Sequence, residues 1–123
     1  MTDATVKSGD TREFWIRERC HITELINDPQ ARDFSLAEAR VEPGVKTELH
    51  KLGVNEWYVI RSGQGRMEIG GEPWVDVAPG DFFAIPAGVS QRIENTGPED
   101  LIFQCICLPR FSTDSYQSLE EAF

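Results

Sequence analysis

Short apolar segments separated by glycine and proline turns constrain the fold of this chain more than any other feature. Between Gly44 and Pro109, runs of four to eight residues alternate with turns such as Pro79-Gly80-Asp81. The predicted strands here are Lys46–Leu52, Glu56–Ser62, Arg66–Ile69, Trp74–Val77, Phe82–Ile85, Gln91–Glu94 and Leu101–Leu108. Evenly spaced short strands favour an all-β sandwich or barrel over a fold with parallel strands and crossover helices.

The flanking segments complete the expected organisation. Phe14 to Ile26 is rich in β-branched and aromatic residues and predicts one or two strands, and Phe34 to Val41 predicts another. Ser118 and Glu121 have the spacing of a capping box, which indicates a short C-terminal helix. We expect a loose leader at 1–13, a β-barrel domain at 14–110 and a tail at 111–123.

Charge and hydropathy argue against several classes of partner. The chain has 21 acidic and 12 basic residues and a net charge of −9, so a phosphate backbone or an anionic membrane surface would be repelled on average. Its apolar runs are too short to cross a bilayer, and Met1 to Glu13 lacks the apolar core of a secretory signal. We expect a cytoplasmic protein that binds neither nucleic acid nor membrane.

The three cysteines favour neither a disulfide framework nor a structural zinc site. Their number is odd, and the chain has no Cys-x-x-Cys motif. Cys105 and Cys107 are two positions apart in a predicted strand, so their side chains share a face. We interpret them as small buried hydrophobes; the alternative is that one of them supplies a ligand to a site.

Two stretches with matching spacing carry the functional signal. The first contains Gly44, His50, Leu52, Glu56 and Gly63, and the second contains Gly80, Pro86, Gly88, Gln91 and Asn95. The spacing of their glycines, proline and asparagine resembles the paired motifs of the cupin superfamily, over roughly residues 36–108. The resemblance implies a double-stranded β-helix, or jelly-roll barrel, with a small-molecule ligand inside it.

The same resemblance implies a metal site that this chain matches in part. Cupins usually offer two histidines as His-x-His, a glutamate and a third histidine; the matching positions here hold His50, Leu52, Glu56 and Gln91. Leucine cannot bind a metal, and Gln91 offers only a neutral amide oxygen. The implied site is a divalent ion (Fe, Mn, Ni or Zn) held by His50, Glu56 and Gln91, with water or Glu48 completing its shell.

Strand alternation supplies the remaining candidates. Glu48, His50 and Leu52 share one face of their predicted strand, and His50 and Glu56 are expected to face each other across a hairpin. The candidate catalytic residues are His50, Glu56 and Tyr58, and the candidate substrate contacts are Glu48, Leu52, Met67, Gln91 and Ile93. For Leu52 and Tyr58 a core position is the simpler interpretation; His21 would reach the site only from a bent strand.

Three functions stay open at this point. The first is a metal-assisted enzyme of the isomerase, lyase or hydrolase type. The second is a metal-free ligand-binding or accessory cupin without activity, and the third is a metal-free enzyme that uses His50 as a base oriented by Glu56. The resemblance also implies a homodimer, in which Phe14-Trp15-Ile16 is a candidate for pairing with the sheet edge of a partner.

Overall fold

The computed structural model describes residues 12–120, and nearly all of its regular structure is β. The strands within these residues are β1 (Phe14–Ile16), β2 (Cys20–Ile26), β3 (Ser35–Val41), β4 (His50–Leu52), β5 (Asn55–Ser62), β6 (Gly65–Ile69), β7 (Val75–Val77), β8 (Phe82–Ile85), β9 (Ser90–Asn95), β10 (Leu101–Leu108) and β11 (Tyr116–Ser118). One 3-10 turn, Thr113–Ser115, precedes β11. No helix among the described residues is long and apolar enough to cross a membrane.

The strands form two antiparallel sheets. The first has the order β1-β2-β3-β10-β5-β8, and the second has the order β11-β4-β9-β6-β7. The connection from β4 to β5 and those from β7 to β8 and from β8 to β9 cross between the sheets. The predicted all-β jelly-roll barrel is therefore confirmed, and it excludes the βαβ architecture that parallel strands would require.

Alternating burial along the strands places one face of each sheet in a shared core. In β5, Glu56, Tyr58 and Ile60 are buried while Asn55 and Trp57 are exposed. The core joins side chains of both sheets: Tyr58, Ile60, Leu101 and Phe103 come from the first, and Met67, Val77 and Ile93 come from the second. Burial of this mixed apolar set holds the two sheets face to face.

Glycines set the turns at the positions where the sequence predicted them. Gly44, Gly63, Gly80 and Gly88 all have positive φ, a region that disfavours residues with a Cβ atom. At Gly63 a Cβ would also lie 2.6 Å from the carbonyl oxygen of Asp100. Asn95 fixes the last turn, because its amide donates to the carbonyls of Val41 and Glu99.

Two predicted elements differ from the structure. The strand expected at Lys46–Leu52 is regular only at His50–Leu52, because the backbone N–H groups of Glu48 and Leu49 leave the ladder. They donate to the carbonyl oxygen of Glu18 at 3.0 Å and to the carboxylate of Glu120 at 2.8 Å. In the tail, Ser118 does not begin a helix. It lies in β11, which pairs with β4, and Glu121 falls outside the described residues.

The hairpin expected between His50 and Glu56 is also wrong. Strand β4 pairs with β9 and β11, whereas β5 pairs with β10 and β8 in the other sheet. The turn at Gly53 carries the chain from one sheet to the other instead of reversing it within one. His50 and Glu56 consequently approach each other across the barrel interior.

Candidate active site

A cavity of about 510 Å³ occupies one end of the barrel interior. Its apolar wall is formed by Phe14, Ile16, Cys20, Ile22, Ile26, Leu36, Ala37, Ala39, Leu52, Phe103, Cys105, Cys107 and Phe111. Its polar or ionisable wall is formed by Arg17, Glu18, Glu24, Asn27, Ser35, His50, Glu56, Tyr58, Thr113 and Tyr116. A volume of this size, with few polar groups, is typical of sites for small organic ligands.

His50 lies at this wall, and its hydrogen bonding shows which ring nitrogen carries the proton. Its Nδ1 lies 2.8 Å from the carbonyl oxygen of Glu48, and because a carbonyl only accepts, Nδ1 carries the proton. The ring stacks on Tyr116 with centroids 4.8 Å apart. Burial lowers the pKa of His50, so the ring is neutral at pH 7 and Nε2 presents a lone pair.

Glu18, which the sequence analysis missed, is the residue that faces this lone pair. It lies in the turn between β1 and β2, and its Oε1 is 3.4 Å from His50 Nε2. Burial, assisted by the negative charge of Glu48, raises the pKa of Glu18 to about 8. At neutral pH this carboxyl keeps its proton and can donate it toward Nε2.

Glu56 enters the cavity from the opposite sheet. Its Oε1 accepts from Nε2 of Gln91 at 2.8 Å, and its Oε2 has only the thiol of Cys107 as a weak donor at 3.8 Å. Burial raises the pKa of Glu56 to about 7, and the hydrogen bond from Gln91 opposes this shift. Glu56 is therefore present in both protonation states near neutral pH.

Glu48 is buried but does not line the cavity. Its carboxylate accepts from the hydroxyl of Tyr116 and from Arg17 at 3.3 Å. Burial alone would raise the pKa of Glu48, but the hydrogen bonds from Tyr116 and Ser118 and the charge of Arg17 lower it. This fixed anion orients both Tyr116 and, through its backbone carbonyl, the ring of His50.

The structure brings together some of the predicted site residues and separates others. His50, Leu52, Glu56 and Tyr58 line the cavity. Gln91 lies against Glu56 without lining the cavity, and Met67 and Ile93 are fully buried in the core at the other end of the barrel. His21 lies beside Glu42 and Trp15 and does not line the cavity.

Tyr58 forms part of the cavity floor. Its ring stacks on Phe103 with centroids 4.6 Å apart, and it is only 3% exposed. Burial raises the pKa of Tyr58 strongly, so its hydroxyl is a proton donor throughout the physiological range. Its predicted role as a catalytic acid stays a prediction.

The donor set does not fit the metal that the fold family implies. Within residues 12–120 no three His, Cys, Asp or Glu side chains converge as a metal site would require. Gln91 turns its NH₂ group, not its oxygen, toward Glu56, and Leu52 presents an alkyl group where a ligand is expected. We derive no step through a metal.

The residues missed by the sequence analysis come from outside the two motifs. Glu18 and Tyr116 reach the site from the turn after β1 and from β11, which neither motif includes. Of the two, only Glu18 left a local signal, as a carboxylate between the apolar Ile16 and Cys20. Cys105 and Cys107 share a strand face as predicted, and both line the cavity as free thiols.

The fold and the two motifs define a family. Residues 37–107 match the model of the cupin domain, and the chain belongs to this family. It is 39% identical over 87 residues to the uncharacterized protein MJ1618 of Methanocaldococcus jannaschii, covering 70% of this chain and 69% of that one. It is 29% identical over 103 residues to oxalate decarboxylase OxdC of Bacillus subtilis, covering 80% of this chain and 26% of OxdC.

Solved structures agree with this placement. The B. subtilis oxalate decarboxylase superposes with a TM-score of 0.78 at 24% identity, covering 94% of this chain and 33% of that one. The polyketide cyclase RemF of Streptomyces resistomycificus superposes with a TM-score of 0.78 at 18% identity, covering 98% of this chain and 88% of RemF. A predicted oxalate decarboxylase of Thermotoga maritima superposes with a TM-score of 0.73 at 27% identity, covering 86% of this chain and 99% of that one. This chain spans about a third of the B. subtilis enzyme.

Proposed function

We propose that this cupin is a metal-independent enzyme that binds a small, mostly apolar organic molecule and isomerises it by proton transfer. The observation that carries the proposal is the pair formed by Glu18 and His50, whose facing atoms are 3.4 Å apart at the polar wall of an otherwise apolar cavity. Acid and base groups held this close to a ligand site are the usual requirement for general acid–base catalysis.

The apolar wall supplies the binding free energy. A ligand that fills the cavity would contact Phe14, Phe103 and Phe111. Burial of apolar surface contributes about 25 cal/mol per Å² to the free energy of binding. Leu52 and Cys107 add apolar surface close to Glu56. Exclusion of water by these side chains also strengthens electrostatic interactions at the polar wall.

The protons that His50 and Glu18 accept and donate balance over one isomerisation. His50 Nε2 accepts a proton from a C–H or O–H bond of the ligand, and the electron pair of that bond shifts within the ligand. The carboxyl of Glu18 then protonates a second ligand atom, which leaves an imidazolium facing a carboxylate. Transfer of the proton from Nε2 back to Glu18 across their direct contact restores the starting state.

The test uses deuterium incorporation, because the natural substrate is not required for it. Small enolisable ketones that shift the NMR signals of cavity residues are incubated with the protein in D₂O and an excess of chelator. We expect deuterium uptake into the ligand to persist with chelator and to fall at least about a hundredfold in His50→Gln, in line with the usual contribution of a general base. Uptake that requires added metal would contradict the proposal.

A second function, ligand binding without catalysis, is favoured by the large apolar share of the cavity wall. It predicts that His50→Gln leaves ligand affinity almost unchanged while no deuterium exchange occurs in the native protein. The same experiment therefore separates the two functions.

A homodimer and a cytoplasmic location stay predictions. In the described chain β1 pairs only with β2, so it is an edge strand of the first sheet, and Trp15 is 53% exposed on it. Exposed edge strands with apolar side chains support pairing with another chain.

A further inference from the structure

Acidic side chains outnumber basic ones among the residues that line the cavity. Among its described lining residues, Glu18, Glu24 and Glu56 are acidic, whereas Arg17 is the one permanent cation. The Arg17 side chain is 73% exposed and is directed to Glu48, not to the three cavity acids. The acidic groups of the cavity therefore lack a buried counter-charge, in line with the raised pKa values of Glu18 and Glu56. A cation bound beside these two carboxyls would lower both pKa values and ionise them.

Nearby arginines are committed to other partners. Arg19, next to Glu18 in the chain, makes two hydrogen bonds to Glu120, the shorter at 2.7 Å. Arg110 donates to Oδ1 of Asn27, whose amide in turn donates to Glu24. None of these guanidinium groups lines the cavity.

The buried hydrogen-bonding groups at Glu56 show a matching surplus of acceptors. Glu56 Oε2 has only a thiol donor at 3.8 Å. Gln91 is 1% exposed, and its Oε1 is the one buried side-chain N or O atom of the described chain that has no hydrogen-bond partner. Because Nε2 of the same amide bonds Glu56, this unpartnered acceptor lies beside the Glu56 carboxyl. Buried acceptors without donors are costly, and a ligand that donates a hydrogen bond would satisfy Glu56 Oε2, the one of these two acceptors whose residue lines the cavity.

We propose that the ligand of this cavity is an organic cation: an amine whose ammonium group lies between Glu18 and Glu56 and whose apolar body contacts the aromatic wall. The inference rests on the ligand-binding part of the proposed function and names its substrate class. The rings of Phe103, Phe111 and Tyr116 offer apolar contact to such a body and cation–π contact to its ammonium group. The net charge of −9 would also attract a cation toward the protein.

The same charges disfavour the substrate named for a relative. Oxalate is a small dianion, and it would place further negative charge beside three carboxyl groups with no buried cation to receive it. We therefore expect oxalate to bind this chain more weakly than an amine.

The experiment compares ligands that share an apolar body and differ in the charge of their polar group, together with oxalate as a small dianion. Binding of 2-phenylethylamine, 2-phenylethanol, 3-phenylpropionate and oxalate to the full chain is measured at pH 7 by NMR titration, and a second set with a cyclohexyl body repeats the comparison. We expect each amine to bind at least about tenfold more tightly than its alcohol, and each carboxylate to bind more weakly than the alcohol.

Variants locate the effect in the cavity. Glu18→Gln and, as a milder change, Glu24→Gln should each reduce the preference for amine over alcohol at least about threefold. Glu38→Gln is the matched control: Glu38 pairs with Thr23 in the same sheet and does not line the cavity. A preference that Glu38→Gln reduces as much as Glu24→Gln would contradict the inference.

The outcomes separate this inference from the proposed function. If amines and alcohols perturb the cavity signals with equal affinity, the charge preference is wrong and the apolar binding site stands. If no compound of either set perturbs those signals, the binding site itself is wrong, and both proposals fail together.

Discussion

The two ends of the barrel interior are built from the same strands and have opposite character. Strand β5 contributes Ile60 to the packed end and Glu56 to the open end, and β9 contributes Ile93 to the first and Gln91 beside the second. The alternation of side chains along each strand decides only that these residues point inward. Side-chain size and polarity then decide whether the interior is filled or remains a site.

The open end also has walls that the packed end does not need. Glu18 comes from the turn after β1, and Tyr116 comes from β11; both lie outside the paired motifs. At the packed end Met67, Ile93 and Leu101 meet directly, each at most 2% exposed. In this cupin barrel, the core closes one end of the interior and peripheral segments shape the other.

The largest effect is expected from opening the packed end. Leu101→Ala should destabilise the protein by about 3–5 kcal/mol, because Leu101 is 0% exposed, does not line the ligand cavity and would leave a void in the core. Urea unfolding measures this loss. Phe82→Ala is the control, since Phe82 is 66% exposed and its removal should cost less than about 1 kcal/mol. Equal losses for the two variants would contradict the assignment of the core.

The second test converts the polar wall into the metal site that the family motif describes. The double variant Leu52→His, Gln91→His should bind a divalent metal at least about a hundredfold more tightly than the native chain, equivalent to about 2.7 kcal/mol. Competition with a chromogenic chelator gives both affinities. Equal tight binding by the native protein would show that its own residues already form such a site.

A smaller effect is expected for the pH dependence of stability. The pKa of Glu18 is raised in the fold to about 8 from an ordinary value of 4.5, so its contribution to stability is fully present below about pH 4.5 and is lost as the pH rises through 8. Glu18→Gln cannot ionise. Its stability relative to the native protein should therefore rise by about 1–3 kcal/mol between pH 5 and pH 9.

Thermal or urea unfolding at both pH values provides this measurement. Glu72→Gln is the control, because Glu72 is exposed on a turn and should leave the pH profile of the native protein unchanged. A Glu18→Gln profile parallel to the native one would show that Glu18 is ionised in the folded state at neutral pH.

The smallest effect is expected at the outer wall of the site. Tyr116→Phe keeps the stacked ring on His50 but removes the hydroxyl that donates to Glu48, which should cost about 1 kcal/mol. Tyr116→Leu removes the stacking as well and should cost more. Urea unfolding of both variants distinguishes the two contributions, and equal costs would mean that the ring contact contributes nothing.

The sequence predicted the fold well because local rules govern it. Turn glycines with positive φ and strands of alternating burial are short-range features, and the bounds of β8 and β10 agree with the prediction to the residue. The shortened β4 was not predictable, because it depends on backbone bonds from Glu48 and Leu49 to Glu18 and Glu120, which are distant in the chain.

The site was predicted only in part, for a related reason. His50 and Glu56 lie on the motif and were found, but their approach across the barrel depends on the crossing between sheets and not on a hairpin. Met67 and Ile93 point inward as expected, but the depth at which they lie depends on the packing of the whole core. Glu18 acquires its role only through long-range contact with His50.

Strand β11 has a consequence for how the protein is made. The wall that Tyr116 provides is about 66 positions beyond His50 in the chain, whereas the packed core is complete at β10. A nascent chain emerging from the ribosome can thus acquire a stable barrel before it acquires a functional pocket. The complete wall of the pocket, with Tyr116 stacked on His50, therefore forms only after β11 has been translated.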